Sequence, residues 1–264
     1  MGRPTIALLT DFGTRDHYAG TLKGVMLGIC PDATLVDITH DVPAHDVVAS
    51  AFELAACYRY FPHGTIFLVV VDPGVGSERR GIAADAGDYK FVSPDNGVLS
   101  AVFRESPPKK VVELTERKYS LPTISRTFEG RDRFAPAAAH LATGIALASL
   151  GRSISNYLVI DLPKPVADDQ ELRGEVVRVD RFGNLITNID RRTLEPFAKQ
   201  RSIAIDVGGK AIPRIVATYA EVSAGELCAL FGSTDHLEVA INAGDAAATL
   251  GLGRGAAARV RIVK

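Results

Sequence analysis

Cysteine is scarce in this chain: Cys30, Cys57 and Cys228 stand alone among 264 residues. They are odd in number and lack the paired spacing of a zinc site or a disulfide framework, so they are expected as buried thiols in a reducing compartment. A dense basic run is also missing. With 30 Lys and Arg against 31 Asp and Glu the formal net charge is -1, which provides no electrostatic footprint for nucleic acid and favours a small-molecule partner. Long apolar runs are absent as well. The opening "MGRPTIALLTDFG" carries only a short one before Asp11, too brief for a signal-peptide core or a membrane span, so a soluble cytoplasmic protein without membrane contact is expected. The chain shows no internal repeat, low-complexity tract or coiled-coil heptad.

What the chain does have is core-forming material. Its hydrophobic content is 47%, and its length suits one large domain or two modest ones. "TIALLT" reads as a strand ending at Asp11, and Leu22, Val25, Met26 and Ile29 form one apolar helix face that should stop before Pro31. "TLVDIT" is a second strand, "DVVASAFELAACYRYFP" a second helix and "GTIFLVVVD" a third strand. Alternation of this kind implies a mainly parallel sheet in an α/β domain. "YKFVSPDNGVLSAVF" adds a strand, a turn and an apolar segment, and "FAPAAAHLATGIALASLG" reads as one helix with Pro136 in its first turn and Gly151 after its end.

The prolines and acids of "LPKPVADDQEL", residues 162–172, break that pattern. They place an α/β domain over 1–164, a linker over 165–171 and a second domain over 172–264. In the second domain "GEVVRVDRFGNLITNI", "SIAIDVGG", "LCALFG", "LEVAI" and "ARVRIV" are short strands between glycine turns with hardly a helix among them, which predicts a small all-β barrel or sandwich.

Three acids follow apparent strand ends: Asp11, Asp72 and Asp95. A carboxylate at such an edge can accept both hydroxyls of a ribose diol, and their recurrence favours a polar crevice along one edge of the sheet. "VVVDPGVGSERRG" is open to two readings, a strand capped by a turn with solvated arginines, or a ligand-binding edge where glycines admit close approach. "DFG" lacks every other kinase signature and is set aside. "THDVPAHD" brings His40, Asp41, His45 and Asp46 together. Pro43 breaks the helical spacing a metal pair would use, so a loop with solvated histidines is expected, with metal hydrolysis as an alternative. "GLGRG" follows an alanine run rather than a strand and reads as a turn. "TFEGRDRFAP" crowds Glu129, Arg131, Asp132 and Arg133 around Gly130, either as a helix cap or as a half-buried polar cluster.

The ordered blocks "TDFGTRDHYAGTLKG", "CPDATLVDITHDVPAHDV", "VVVDPGVGSERRG", "FVSPDNGVLS", "TFEGRDRFAPAAAHLA", "RFGNLITNI" and "GSTDHLEVAINAG" together resemble the S-adenosylmethionine hydroxide adenosyltransferases, hydrolytic relatives of the fluorinase and chlorinase. The resemblance runs across nearly the whole chain. It implies an α/β domain followed by a β-rich domain, a homotrimer with the substrate held between neighbouring subunits, and hydrolysis of S-adenosylmethionine to adenosine and methionine with no metal or cofactor. The family's water-activating Asp and Arg fall on Asp72 and Arg79, while Glu129 stands where the family pattern has histidine.

The same resemblance puts Asp11 on the ribose diol, Asp16 and Asp180 near the methionine ammonium, Tyr219 and Phe182 against adenine, Asn184 and Ala243 at the adenine edge, and Ser233 at the methionine carboxylate. Asp72 and Glu129, as like charges, are expected to share a proton, moderated by Arg79 and by Arg131 or Arg133 if these point inward. Two other functions fit the resemblance: a halogenase of the same fold, and a non-catalytic binding protein for S-adenosylmethionine or adenosine.

Overall fold

The computed structural model describes residues 2–263, which divide into two compact units, one up to Leu162 and the other from Pro163 onward. In the first unit β1 (Thr5–Thr10), α1 (Tyr18–Ile29), β2 (Thr34–Thr39), α2 (Val47–Cys57) and β3 (Ile66–Val70) alternate as the sequence predicts. There follow β4 (Gly81–Ala86), β5 (Tyr89–Pro94), α3 (Ser100–Glu105), β6 (Pro108–Leu114), α4 (Ala135–Ala142) and β7 (Gly151–Ser153). The seven strands lie in the order β2-β1-β3-β5-β4-β6-β7.

That sheet is mixed, not mainly parallel. β2, β1, β3 and β5 run parallel, whereas β4 pairs antiparallel with both β5 and β6, and β7 antiparallel with β6. The reversal comes from a tight hairpin in "ADAGDYK", where Gly87 takes φ +61°, a left-handed geometry that costs glycine nothing. The sheet is covered on both faces, so its central strands are apolar throughout rather than alternating. Ile6, Leu8, Leu68 and Val70 pack with Leu22 and Met26 of α1 and Ala138 and Leu141 of α4. Ala7, Leu9, Phe67 and Val69 pack on the other side with Leu54 of α2 and Val102 and Phe103 of α3.

The helix expected to run to Gly151 ends at Ala142, where Thr143 N–H bonds back to Ala139 and Gly144 turns at φ +93°. A short 3₁₀ turn over Leu147–Leu150 completes the segment. Ahead of α4 the chain makes a π-turn over Gly130–Phe134.

The second unit holds β8 (Val166–Ala167), β9 (Glu171–Val179), β10 (Leu185–Asp190), α5 (Arg191–Ala198), β11 (Ile203–Val207), β12 (Lys210–Ile212), β13 (Leu227–Phe231), β14 (His236–Ile241), α6 (Ala246–Leu250) and β15 (Ala257–Ile262). Its strands follow the order β12-β11-β15-β9-β10-β14-β13, with β8 on β9. A bridge from Ile215 to Ala229 of β13 brings the two ends of that path together, so the sheet nearly closes as a barrel.

Two expectations fail here. The stretch 165–171 carries β8 and the first residue of β9 and is part of the sheet. The unit also contains two helices, each started by an aspartate cap: Asp190 accepts from Thr193 N–H and Asp245 from Ala248 N–H, both at 2.8 Å. Among the described residues no helix is long and apolar enough to cross a membrane.

Candidate active site

β1, β3 and β5 are parallel neighbours, Thr10 lying beside Val70 and Leu68 beside Val92. Their carboxyl ends therefore share one edge of the sheet, and Asp11, Asp72 and Asp95 emerge along it. The three acids have different fates. Asp95 is buried and committed to structure: Arg80 Nε donates to its Oδ2 at 2.9 Å and Leu158 N–H to its Oδ1 at 2.8 Å, while Arg80 Nη1 reaches Asn156. Asp95 thus anchors the 156–158 segment.

Asp72 takes the other arginine of the adjacent pair. Arg79 Nε donates to Asp72 Oδ1 at 2.9 Å and Arg79 Nη2 to Oδ2, the bidentate match of guanidinium to carboxylate. The turn between them is held by Ser77 Oγ, which donates to Gly74 O at 2.6 Å. Gly76 makes the turn at φ +77° and lies so close to Arg126 O that a Cβ would overlap it. The stretch is therefore a strand end and turn, and its first arginine points back to the acid instead of into solvent.

Glu129 reaches the same place from the far side of the sequence, because Gly130 packs on Val70 of β3, Leu22 and Phe12, where a Cβ would press at 3.1 Å on Val70. Glu129 Oε2 lies 2.6 Å from Arg79 Nη1. The contact is a close, buried ion pair. Arg133 Nη1 approaches Glu129 Oε1 at 3.4 Å and its Nη2 donates to Leu114 O at 2.8 Å.

Arg131 turns away to Asp132, which is fully buried, and its guanidinium stands over Phe128. Arg79 thus pairs with both Asp72 and Glu129. Burial alone would disfavour charge on Arg79, but the hydrogen bonds and charges of Asp72 and Glu129 outweigh it and hold the guanidinium protonated.

Asp11 Oδ2 accepts from His45 N–H at 2.8 Å, and Asp16 is exposed on the loop between β1 and α1. Beside Asp11, Phe12 makes a tilted ring pair with Tyr18 and meets Phe128 edge to face. The loop "THDVPAHD" departs from the expectation of solvated histidines in one respect: His40 is buried, while His45 is exposed and Asp46 caps α2 by accepting from Ala49 N–H. Among the described residues no cluster of three His, Cys, Asp or Glu could hold a metal.

The second unit carries the remaining residues. Asp180, Phe182, Asn184, Tyr219, Ser233 and Ala243 all line one cavity of about 760 Å³. Asp180 is the hub of its β9–β10 turn, accepting from Phe182 N–H and Asn184 N–H at 2.9 Å and from Asn184 Nδ2 at 3.0 Å. This fixes the amide of Asn184 beside Phe182, whose ring is 74% exposed. Ala243 holds φ +56°, an uncommon backbone for a residue with a Cβ.

Sequence reasoning missed Glu238, a buried acid in the same cavity that accepts from the Tyr219 hydroxyl. Its signal was a lone acid inside the apolar strand "HLEVAI". Burial raises its pKa, only partly opposed by the Tyr219 hydrogen bond and Arg178. Burial and Glu238 also push the Tyr219 hydroxyl well above its usual value.

Residues 6–151 match the SAM hydroxide adenosyltransferase N-terminal domain and residues 174–259 the SAM hydroxide adenosyltransferase C-terminal domain. The chain is 37% identical over 262 residues to the (R)-S-adenosyl-L-methionine hydrolase of Thermus thermophilus, spanning 97% of this chain and 98% of that protein. It is 38% identical over 261 residues to the enzyme of the same name from Salinispora tropica, spanning 97% of each. The fluorinase of Nocardia brasiliensis is 30% identical over 294 residues, spanning 98% of this chain and 97% of that protein. Among solved structures, an uncharacterized conserved protein from Thermotoga maritima matches with a TM-score of 0.92 at 37% identity, covering 97% of this chain and 99% of that one.

Proposed function

The chain belongs to the SAM hydroxide adenosyltransferase family, and we propose that it hydrolyses S-adenosyl-L-methionine to adenosine and L-methionine. Water attacks the ribose C5′ in line with the departing sulfur. The new bond is O–C5′, the bond that breaks is C5′–S, and its electrons pass to the sulfonium, which leaves as the neutral thioether of methionine. Such a leaving group needs no general acid. The protein's work is to aim the water and accept its proton.

One observation carries the assignment of that work to Asp72, Arg79 and Glu129. Arg79 Nη1 and Glu129 Oε2 form a buried ion pair beside the bidentate Arg79–Asp72 pair, so one guanidinium orients both carboxylates. With the guanidinium held in this way, a water admitted to the cluster together with substrate can accept from Arg79 and donate to Glu129. Glu129 is then the acceptor of the proton, and Asp72 locks the plane of the guanidinium through its bidentate pair.

The substrate contacts follow the family resemblance: Asp11 on the ribose diol, Asp16 and Asp180 toward the methionine ammonium, Phe182 and Tyr219 on adenine, Asn184 and Ala243 at its edge, and Ser233 at the methionine carboxylate. Their grouping in one cavity of the second unit supports the assignment for the last six positions named on that unit. The relatives named hydrolases carry the (R) descriptor, and the same sulfonium epimer is proposed as substrate here. Because the residues fall on two units, a homotrimer that joins the first unit of one subunit to the second unit of its neighbour is proposed. Action in the cytoplasm, without metal or cofactor, completes the reading.

Fluorinase relatives raise halogenation as the competing chemistry. Each carboxylate of the cluster is met by a guanidinium, Asp72 by Arg79 and Glu129 by Arg79 and Arg133, so no positive charge is left over for a halide. Chromatographic detection of adenosine, against a 5′-halo-5′-deoxyadenosine in the presence of chloride or fluoride, separates the two.

A further inference from the structure

The buried histidine of "THDVPAHD" has no part in the water cluster, yet it sits at the root of the Asp11 turn. Thr10, the last residue of β1, is fully buried, and its Oγ1 lies 2.8 Å from His40 Nδ1. The same oxygen accepts from Phe12 N–H at 3.3 Å. One hydroxyl therefore ties down the residues on both sides of Asp11. Further bonds run between the two segments: Gly13 N–H donates to His40 O at 2.7 Å and Val42 N–H to Thr10 O at 3.4 Å.

The ring of His40 is held from its other edge. Its Nε2 faces Asp37 Oδ1 at 3.1 Å, off the line of a straight hydrogen bond, and Asp37 Oδ2 receives Lys23 Nζ at 2.6 Å. Burial pushes the Asp37 carboxyl up, but Lys23 and His40 together hold it below its usual value. Since Thr10 Oγ1 already accepts from Phe12, its own proton is free to go to Nδ1. That leaves the ring proton on Nε2, toward the Asp37 carboxylate.

The far end of the loop also serves Asp11. His45 is a non-glycine residue at φ +66°, a conformation that is sparsely populated and concentrated at functional sites. It aims the His45 N–H at Asp11 Oδ2. One lone pair of the carboxylate is thereby used to fix its plane, and lone pairs on both oxygens are left for a cis-diol.

We propose that His40 is a positioning residue for substrate: through Thr10 it fixes the turn that aims Asp11 at the ribose hydroxyls, with Asp37 and Lys23 holding the ring in place. The proposal rests on the reading of Asp11 as the diol acid. Its signature is discrimination between ligands with and without the diol, which loosened packing alone does not produce.

The test measures calorimetric affinity for adenosine and for 2′,3′-dideoxyadenosine in the full chain. The wild type should prefer adenosine by roughly tenfold or more, the scale of hydrogen bonds to a charged acceptor. His40→Leu should erase most of that ratio by weakening adenosine alone. His40→Asn, whose amide reaches the Nδ1 position, should restore it. Should His40→Leu fail to fold, Thr10→Val carries the same expectation. In turnover the variants should raise KM for S-adenosylmethionine more than they lower kcat. If Asp11→Asn abolishes the preference while His40→Leu and Thr10→Val keep it, the role of His40 is wrong and that of Asp11 stands. If Asp11→Asn keeps the preference, the diol reading falls and the inference with it.

Discussion

Arg79 spends all three of its guanidinium nitrogens on two acids, with Nε and Nη2 on Asp72 and Nη1 on Glu129. A lysine offers one point charge and cannot serve both carboxylates at once. Arg79→Lys should lower kcat by roughly 10²–10³-fold, the scale of losing one preorganised donor. It should also destabilise the fold by about 1–3 kcal/mol, since the ammonium leaves buried carboxylate oxygens without the hydrogen bonds of the guanidinium. Steady-state kinetics and denaturant unfolding on the same sample check both. A variant with wild-type kcat contradicts the assignment of Arg79 to the water.

Glu129→Gln keeps the size and removes the base, so turnover should fall by roughly 10²–10⁴-fold with KM little changed. Glu129→His, which restores the residue of the family pattern, should retain more activity than the glutamine variant. Equal rates for wild type and Glu129→Gln would leave Glu129 a helix-entry residue, with Asp72 and Arg79 carrying the water alone.

Glu238 gives a pH signature. Burial raises its folded-state pKa above the ordinary 4.5, so the folded state binds this proton more tightly than the unfolded chain does. Stability from this group is complete below the unfolded value and is lost as pH rises through the raised folded value. Glu238→Gln cannot ionise and escapes the loss. Thermal midpoints of the two proteins should therefore shift in favour of the variant as pH rises from acid toward neutrality, and parallel midpoints across that range contradict the assignment.

The turn that carries Asp180, Phe182 and Asn184 depends on Gly183. Its φ is +81°, and a Cβ there would overlap the Asp245 carboxylate that caps α6. Gly183→Ala should cost about 1–3 kcal/mol through overpacking and strain and raise KM for S-adenosylmethionine by displacing the cavity wall. Denaturant unfolding at wild-type stability would contradict this.

A homotrimer should appear in light scattering at three times the 28.1 kDa of one chain. A stable monomer that retains full activity contradicts the sharing of one site between subunits.

Much of this was legible in the sequence because the central strands obey simple rules. Uniformly apolar runs that end on Asp11 and Asp72 mark buried parallel strands and their carboxyl edge, and the β-rich character of the second unit shows in its glycine-punctuated strands. The sheet's reversal was not legible. It rests on the Gly87 hairpin, and β4, "GIAADA", is too alanine-rich to look like a strand. α5 was hidden by Pro196 inside it, a residue that normally argues against helix. At the site, the charge cluster of "TFEGRDRF" was visible as composition. Which arginine turns inward was not, because Arg131 and Arg133 both lie within a π-turn that sends one to Asp132 and the other to Glu129. Buried Glu238 and His40 escaped because a lone acid or histidine in a strand or loop is ordinarily solvated, and only tertiary partners show otherwise.

The most direct test of the account is turnover of S-adenosyl-L-methionine in ¹⁸O-water, with the products separated by chromatography and weighed by mass spectrometry. Attack of water at C5′ predicts adenosine carrying one ¹⁸O in its 5′-hydroxyl and methionine carrying none. Substrate that binds but stays intact over long incubation, or a product halogenated at C5′ in place of labelled adenosine, contradicts it.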